Sequence, residues 1–317
     1  MPEISPKIRF YNKEKLENIN PETMKLWRKY EIDMSLRELS QKTVEGYTND
    51  CQHWFIYIYD NQGNQCITDL DEDDITEFLY FCKTEGNNSR RMKRRMSSIS
   101  AFYKFLRKKR IIKENPMEFI DRPKKDIDIA VQTFLTKEQV DLMRIKLKEH
   151  CDLLLETYAL FSLSTMARVN AVAHIRWEQI DFDTRTANDV LEKEGKYVTL
   201  YFSDEVKYLL LQVQRYRLDN EIDDGGWVFY SRSKGGIQPV ANGTLDQWCK
   251  RIGAMIDCNT LHPHDFRHSG SQLLKLSGMS IEEISELLNH SGLDVTKKHY
   301  LRQDKAKLQA NKDKYIF

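Results

Sequence analysis

The sequence predicts a mainly helical protein of two domains, the second carrying a small antiparallel sheet. Three observations predict it. Apolar residues recur at helical spacing through most of the chain. The helical pattern breaks at Asn115-Pro116 and Arg122-Pro123, where each proline biases the preceding residue away from the helical region. The short runs that read as strands, with Gly195 in a turn between them, all lie beyond that break. A chain of 317 residues is long for one core and comfortable for two.

The first domain is expected over 21–120, after an N-terminal extension of 1–20. Helices are predicted near Thr23–Leu39 and Ser40–Tyr59. In the second, Val44, Tyr47, Cys51, Trp54, Phe55 and Ile58 share a face, and Ser40 or Thr43 caps the start. Asn61-Gln62-Gly63-Asn64 reads as a turn. The next helix is expected to open at Thr68 or Asp69 and to bury Ile75, Phe78, Leu79 and Phe81, before Gly86-Asn87-Asn88-Ser89 ends it. A long helix follows over about Ser89–Lys109. Met92, Met96, Ile99, Tyr103 and Leu106 form its packing stripe, and Arg91, Arg94, Arg95, Lys104 and Lys108 are expected largely off it. Residues 121–132 read as a basic linker. The second domain, 133–317, opens with Thr136 as a helix cap and Gln139 three residues on. Helices are expected around 137–149 and 151–165. Strands are expected at Ile175–Asp183 and Val198–Phe202, and helices again near 204–219, 242–255, 265–276, 281–288 and 294–314.

Composition narrows the function. No run of about 18 apolar residues exists, so no membrane span is expected. The first 15 residues lack the pattern of a secretion signal. The 6 cysteines are scattered singly, without Cys-x-x-Cys spacing, which fits free thiols in a reducing cytoplasm. The net charge of +1 hides an asymmetry. Ser89 to Lys125 holds 14 Lys or Arg against 3 Asp or Glu, a net +11, so the rest of the chain carries −10. One sign of charge in one stretch suits a polyanion, since neutralised phosphates release their counterions. Arg91, Arg94, Arg95, Lys104, Lys108, Lys124 and Lys125 are the candidate DNA contacts. A solvated Lys-rich helix face is the bland alternative.

The C-terminal third concentrates cations and imidazoles near predicted helix starts. His264-Asp265-Phe266-Arg267 places His264 and Arg267 three apart, on one helix face. His290 follows a predicted helix in Leu288-Asn289-His290-Ser291, and Tyr300 lies ten residues later. Earlier, Arg168 closes an apolar helix, and Lys193 and Lys196 flank the Gly195 turn.

These parts resemble the tyrosine recombinase family, which includes phage integrases and Xer-type dimer resolvases. His264-Asp-Phe-Arg267-His268-Ser269 is similar to the family's H-x-x-R-H-[ST], and Leu288-Asn-His290-Ser291 is similar to L-G-H-S. Arg168, Lys193 and Tyr300 fall where the family has its first arginine, its hairpin lysine and its tyrosine, and helix 89–110 is similar to the last helix of the family's DNA-clamping domain. The order Arg, Lys, His-x-x-Arg, His, Tyr is the strong signal, because each piece alone is commonplace. Two departures stand out. Met166 lies in the region where the family commonly has Gly, and Ala171 occupies the place, three after the arginine, where it commonly has Glu or Asp. Asn289 replaces another Gly and suits a left-handed cap.

The resemblance implies a helical DNA-clamp domain joined to an α+β catalytic domain, and strand exchange without metal or cofactor. It implies Tyr300 as the nucleophile, Arg168 and Arg267 as phosphate clamps and Lys193, with Lys196 as the fallback, as acid for the leaving 5′ oxygen. It implies His264 as acceptor of the tyrosine proton and His290 as a phosphate donor. The implied partners are a double-stranded recombination site and further copies of the chain up to a tetramer; accessory proteins stay open, since no residue names one. The tail ending Lys314-Tyr315-Ile316-Phe317 either docks on a neighbouring subunit or frays; the residues leave both open. Two other readings compete. One is a metallohydrolase built on His262, His264, Asp265, His268, His290 and His299; the other is a non-catalytic DNA-binding descendant of a recombinase, motivated by Ala171.

Overall fold

The computed structural model describes residues 12–124, 134–192 and 195–289. They fall into two compact units, Met1–Ile129 and Ala130–Phe317.

The first unit is helical: α1 (Lys13–Glu17), α2 (Pro21–Leu36), α3 (Gln41–Asn61), α4 (Glu72–Thr84), α5 (Ser89–Lys108) and a 3-10 turn at Pro116–Glu118. Short polar side chains cap the helices. Asn20 accepts from Glu22 and Thr23 ahead of Pro21, Ser40 accepts from Thr43, and Asn88 accepts from Arg91. α4 starts later than the sequence suggests. Asp71 and Asp74 form a reciprocal capping box that outcompetes Thr68 and Asp69 as the start. α1 lies in the stretch read as an extension and is pinned to α3 by Lys15–Asp60 at 2.7 Å. The core is aromatic. Trp27 meets Phe102 edge-on at 5.2 Å, Tyr30 stacks on Phe102 at 5.1 Å, and the buried Tyr103 hydroxyl donates to Ile67 O at 3.0 Å.

The second unit comprises α6 (Lys137–His150), α7 (Leu153–Thr165), α8 (Val169–Ala173), β1 (Ile180–Asp181), β2 (Thr186–Leu191) and β3 (Tyr197–Tyr201). It continues with α9 (Asp204–Asp219), β4 (Tyr230–Ser233), β5 (Gly236–Pro239), α10 (Asn242–Met255), α11 (Pro263–Leu276) and α12 (Ile281–Leu287). Thr136 and Gln139 form the expected capping box of α6. The sheet is antiparallel in the order β1-β2-β3. β2 and β3 form the hairpin around Gly195, whose φ of +72° a side chain would strain. The strand expected at Ile175–Asp183 shortens to β1, because Trp177–Gln179 turns as a 3-10 segment, and the main partner of β3 is β2. The second hairpin, β4–β5, has no counterpart in the sequence reading. Its Tyr-Ser-Arg-Ser and Gly-Ile-Gln-Pro runs alternate too weakly to stand out.

α7 is the centre of this unit, buried on all sides from Leu155 to Leu163. α11 crosses it at Gly270, where an added Cβ would lie 2.4 Å from Leu163 O and 2.7 Å from Met166 Cγ. The near atom is backbone, so the two helices must part. Gly270→Ala is expected to lower the unfolding free energy by about 1–3 kcal/mol by overpacking, read from urea denaturation of the purified chain.

Candidate active site

Three chain reversals build the site. α7 ends at Thr165, and Met166 leaves the helix in the left-handed conformation at φ 54°. Met166 lies in the region where the resemblance implies a glycine, and a left-handed turn there costs methionine more than glycine. The next helix begins at once, with Arg168 as the extended residue preceding Val169. Arg168 thus stands between two helices and does not end one. The third reversal is Asn289, also left-handed at φ 52°, just past α12.

α11 starts with its own clamp. His262 Nδ1 accepts from His264 N at 3.3 Å, Asp265 Oδ2 accepts from His262 N at 2.8 Å, and Pro263 occupies the first turn. One turn along, Arg267 is buried to 1% exposure. Its Nη1 donates to Met166 O at 2.7 Å and its Nη2 donates to Leu288 O at 2.6 Å. One guanidinium therefore ties the end of α7 to the end of α12, and so the turn before Arg168 to the turn before His290.

Between the arginines lies a group that the sequence reading did not select. Glu192, just past β2, pairs through Oε2 with Arg168 Nη1 and lies 3.9 Å through Oε1 from Arg267 Nη1. Its side chain is 2% exposed, against 28% for Arg168. A lone acid beside hairpin lysines reads as a solvated charge; only the return of the hairpin onto α8 and α11 shows otherwise. His264 remains at the surface, its ring parallel to His262 at 5.8 Å. Partial desolvation first, then the positive field of His262, Arg267 and Arg168, push its pKa below the usual 6.5. A neutral imidazole at pH 7 suits a proton acceptor. With His264 as the proton acceptor that the resemblance implies, the acid limb of a strand-cleavage rate profile is expected below pH 6.5 and should vanish in His264→Gln, as measured by single-turnover cleavage between about pH 5 and pH 8. A limb above 6.5 in the wild type would contradict it.

Arg168, His264 and Arg267 are thus brought into one neighbourhood, and the hairpin lends it Glu192. Lys193, His290 and Tyr300 lie outside the described residues, as do Lys125 and His299. Lys196 is described and exposed. Among the described residues, no group of three or more His, Cys, Asp or Glu is placed to hold a metal ion. No helix among them is long and apolar enough to cross a membrane.

The basic helix α5 is less uniform than its sequence suggests. Arg95 is 4% exposed, so its expected surface position is corrected. It falls between Met92 and Met96 on the packed face, where Asn87 Oδ1 accepts from it at 3.1 Å and the His53 ring nitrogen lies at 3.4 Å. Burial and the neighbouring arginines lower the His53 pKa to about 4, so the neutral ring accepts. Arg91 pairs at 2.6 Å with Asp50, which is fully buried, and Arg94 Nε lies 3.6 Å from the same carboxylate. Arg94 nevertheless stays exposed, as do Lys104, Lys108 and Lys124.

The phage integrase family model matches residues 133–307, more than half of the chain, and the model of the phage integrase N-terminal SAM-like domain matches 28–110. The chain belongs to the phage integrase family of tyrosine recombinases. Its relatives include the tyrosine recombinase XerC of Pediococcus pentosaceus, 26% identical over 290 residues that cover 88% of this chain and 93% of the relative. A tyrosine recombinase of Thermosipho africanus is 24% identical over 283 residues, 87% and 94% of the two chains. Among solved structures, the Tn1549 transposon integrase in complex with transposon right end DNA is similar at TM-score 0.66 and 16% identity, covering 92% of this recombinase and 99% of that chain. A lambda integrase tetramer bound to a Holliday junction is similar at TM-score 0.63 and 16% identity, over 85% and 74%. At these identities the structures establish a shared fold, helical with small antiparallel sheets. Membership sets aside the metallohydrolase, and makes the recombinase an enzyme of DNA strand breakage and rejoining.

Proposed function

We propose that this recombinase cuts and rejoins duplex DNA at specific sites through a 3′-phosphotyrosine at Tyr300. The observation that supports it most is the convergence of Arg168, Arg267 and His264, contributed by α11 and the α7–α8 turn, in a chain with the family's order of motifs. The Tyr300 oxygen attacks the scissile phosphorus and the bond from phosphorus to the 5′ oxygen breaks. His264 takes the phenolic proton, and Lys193, or Lys196 in its stead, protonates the departing oxygen. A phenol has an ordinary pKa of about 10 and is a poor nucleophile until cations stabilise its anion. The two guanidiniums supply that field and hold the non-bridging oxygens. His290 donates to the phosphate. Because the phosphotyrosine conserves the bond energy, rejoining to another strand needs no nucleotide.

Arg94, Lys104, Lys108 and Lys124 are the proposed backbone contacts of the first unit, with Arg91 divided between Asp50 and DNA, Lys125 beside Lys124, and Arg95 acting from within the fold. We further propose assembly as dimers and tetramers on DNA, in the compartment that holds the DNA, with accessory proteins at some sites. The biological outcome is integration, excision, inversion or dimer resolution, for a mobile element or a chromosome. The test is covalent trapping. Nicked duplexes carrying sequence that flanks the gene are incubated with the protein and run on a denaturing gel. A shifted protein–DNA band supports the reading. Tight, salt-sensitive binding with no band would favour the non-catalytic descendant.

A further inference from the structure

The carboxylate that Ala171 fails to supply comes from another element. We infer that Glu192 is a positioning residue of the active site, one that holds Arg168 and Arg267 at the spacing a phosphate requires. This rests on the recombinase reading.

The geometry makes the case. Arg267 has an independent anchor, since Met166 O and Leu288 O accept from it at 2.7 and 2.6 Å. Arg168 belongs to the five-residue helix α8 only as its leading residue, with no side-chain cap bond there. Its carboxylate partner is Glu192, which also faces Arg267. Two guanidiniums brought together in a poorly hydrated place repel each other, and a carboxylate between them turns that repulsion into two attractions. Ala171 is 1% exposed and carries no charge, so α8 itself cannot do this. Asn170 is exposed on the same helix, and its carbonyl accepts from His174.

Depth separates positioning from competition. A group that merely occupied the phosphate's place would be the exposed member of the cluster. Here the order is reversed, with Arg168 28% exposed and Glu192 2%. The carboxylate backs the arginine, leaving the solvent side of the guanidinium for the DNA. Glu192 Oε1 is buried and accepts no hydrogen bond among the described residues, so its role toward Arg267 is electrostatic. Glu192 N donates to Lys196 O at 2.8 Å, so the same residue closes the turn that bears the candidate acid lysines. One residue thus links the two arginines through its side chain and the hairpin turn through its backbone.

The experiment measures single-turnover adduct formation on a nicked duplex at saturating protein, with duplex affinity measured separately by titration. Glu192→Gln keeps size and removes charge; Glu192→Asp keeps charge and shortens the reach. Glu192→Gln is expected to slow adduct formation about 10²-fold, the usual effect of a slightly misplaced catalytic group, and to leave duplex affinity unchanged. Glu192→Asp should recover part of the rate. Combined with Arg168→Lys, the Gln change should add little further loss, because it acts through Arg168. Faster adduct formation in Glu192→Gln would make the carboxylate a competitor and overturn the proposal. An unchanged rate, or full additivity with Arg168→Lys, would also overturn it. If Glu192→Gln melts at assay temperature, the Asp variant decides: a wild-type rate there reduces Glu192 to a buried counter-charge and overturns the proposal, and a folded but slowed variant supports it. No adduct with the wild type would instead count against the recombinase reading itself.

Discussion

Replacing Arg267 with alanine is expected to destabilise the second unit by about 3–5 kcal/mol and to abolish strand cleavage. Few side chains here carry as much. Arg267 is 1% exposed and donates to carbonyls at two helix ends, Met166 and Leu288, while facing Glu192. The variant leaves those carbonyls without their charged donor, at about 1–3 kcal/mol for each buried group left unsatisfied. It also leaves Glu192 with Arg168 as its remaining charged neighbour of that pair. Urea denaturation measures the first effect. Arg267→Lys is the sharper variant: it keeps the charge and loses the fork, so it should regain much of the stability and little of the cleavage. Loss of one preorganised transition-state donor typically slows chemistry about 10²–10³-fold. Wild-type stability in Arg267→Ala would show that the two helix ends hold together without it.

Tyr300→Phe is expected to reduce the covalent adduct to background while duplex affinity and its salt dependence stay as in the wild type. Phenylalanine keeps the ring and removes the oxygen proposed to form the ester, so no cation arrangement would compensate. Binding is expected to rest on many phosphate contacts and not on that hydroxyl. A denaturing gel measures the adduct, and a salt titration measures binding. An adduct that persists in Tyr300→Phe would move the nucleophile elsewhere in the chain, with Tyr315 the first candidate to test.

Much was legible before any coordinates. Apolar spacing and short polar caps placed α3, α5 and α6 closely, because local rules govern both: a helix shows its buried stripe every three to four residues, and its first amides need nearby acceptors. The motif order pointed to the family, and the helix expected near 265–276 is α11, which opens two residues earlier at Pro263. Other readings failed where local signals were weak or ambiguous. Asp71 displaced Thr68 and Asp69: it accepts from Asp73 N and Asp74 N while Asp74 accepts from Asp71 N, so the reciprocal box satisfies three backbone donors. Arg95 looked exposed, because a charge in a helix is read as a surface residue unless its partners are visible, and those partners, Asn87 and His53, lie in the loop before α5 and on α3.

The sequence by itself determined the two-domain helical architecture, the basic helix and the identity of the candidate chemistry. It did so because hydrophobic period, capping and short motifs are encoded within a few residues of where they act. Tertiary structure alone decided three matters. It buried Arg267 as the tie between two helix ends, made the left-handed turn at Met166 the route to Arg168, and brought Glu192 from the β2–β3 hairpin onto Arg168. Such pairings depend on which elements fold back on one another, and a charged side chain's meaning changes from solvated to structural only when that return removes its water.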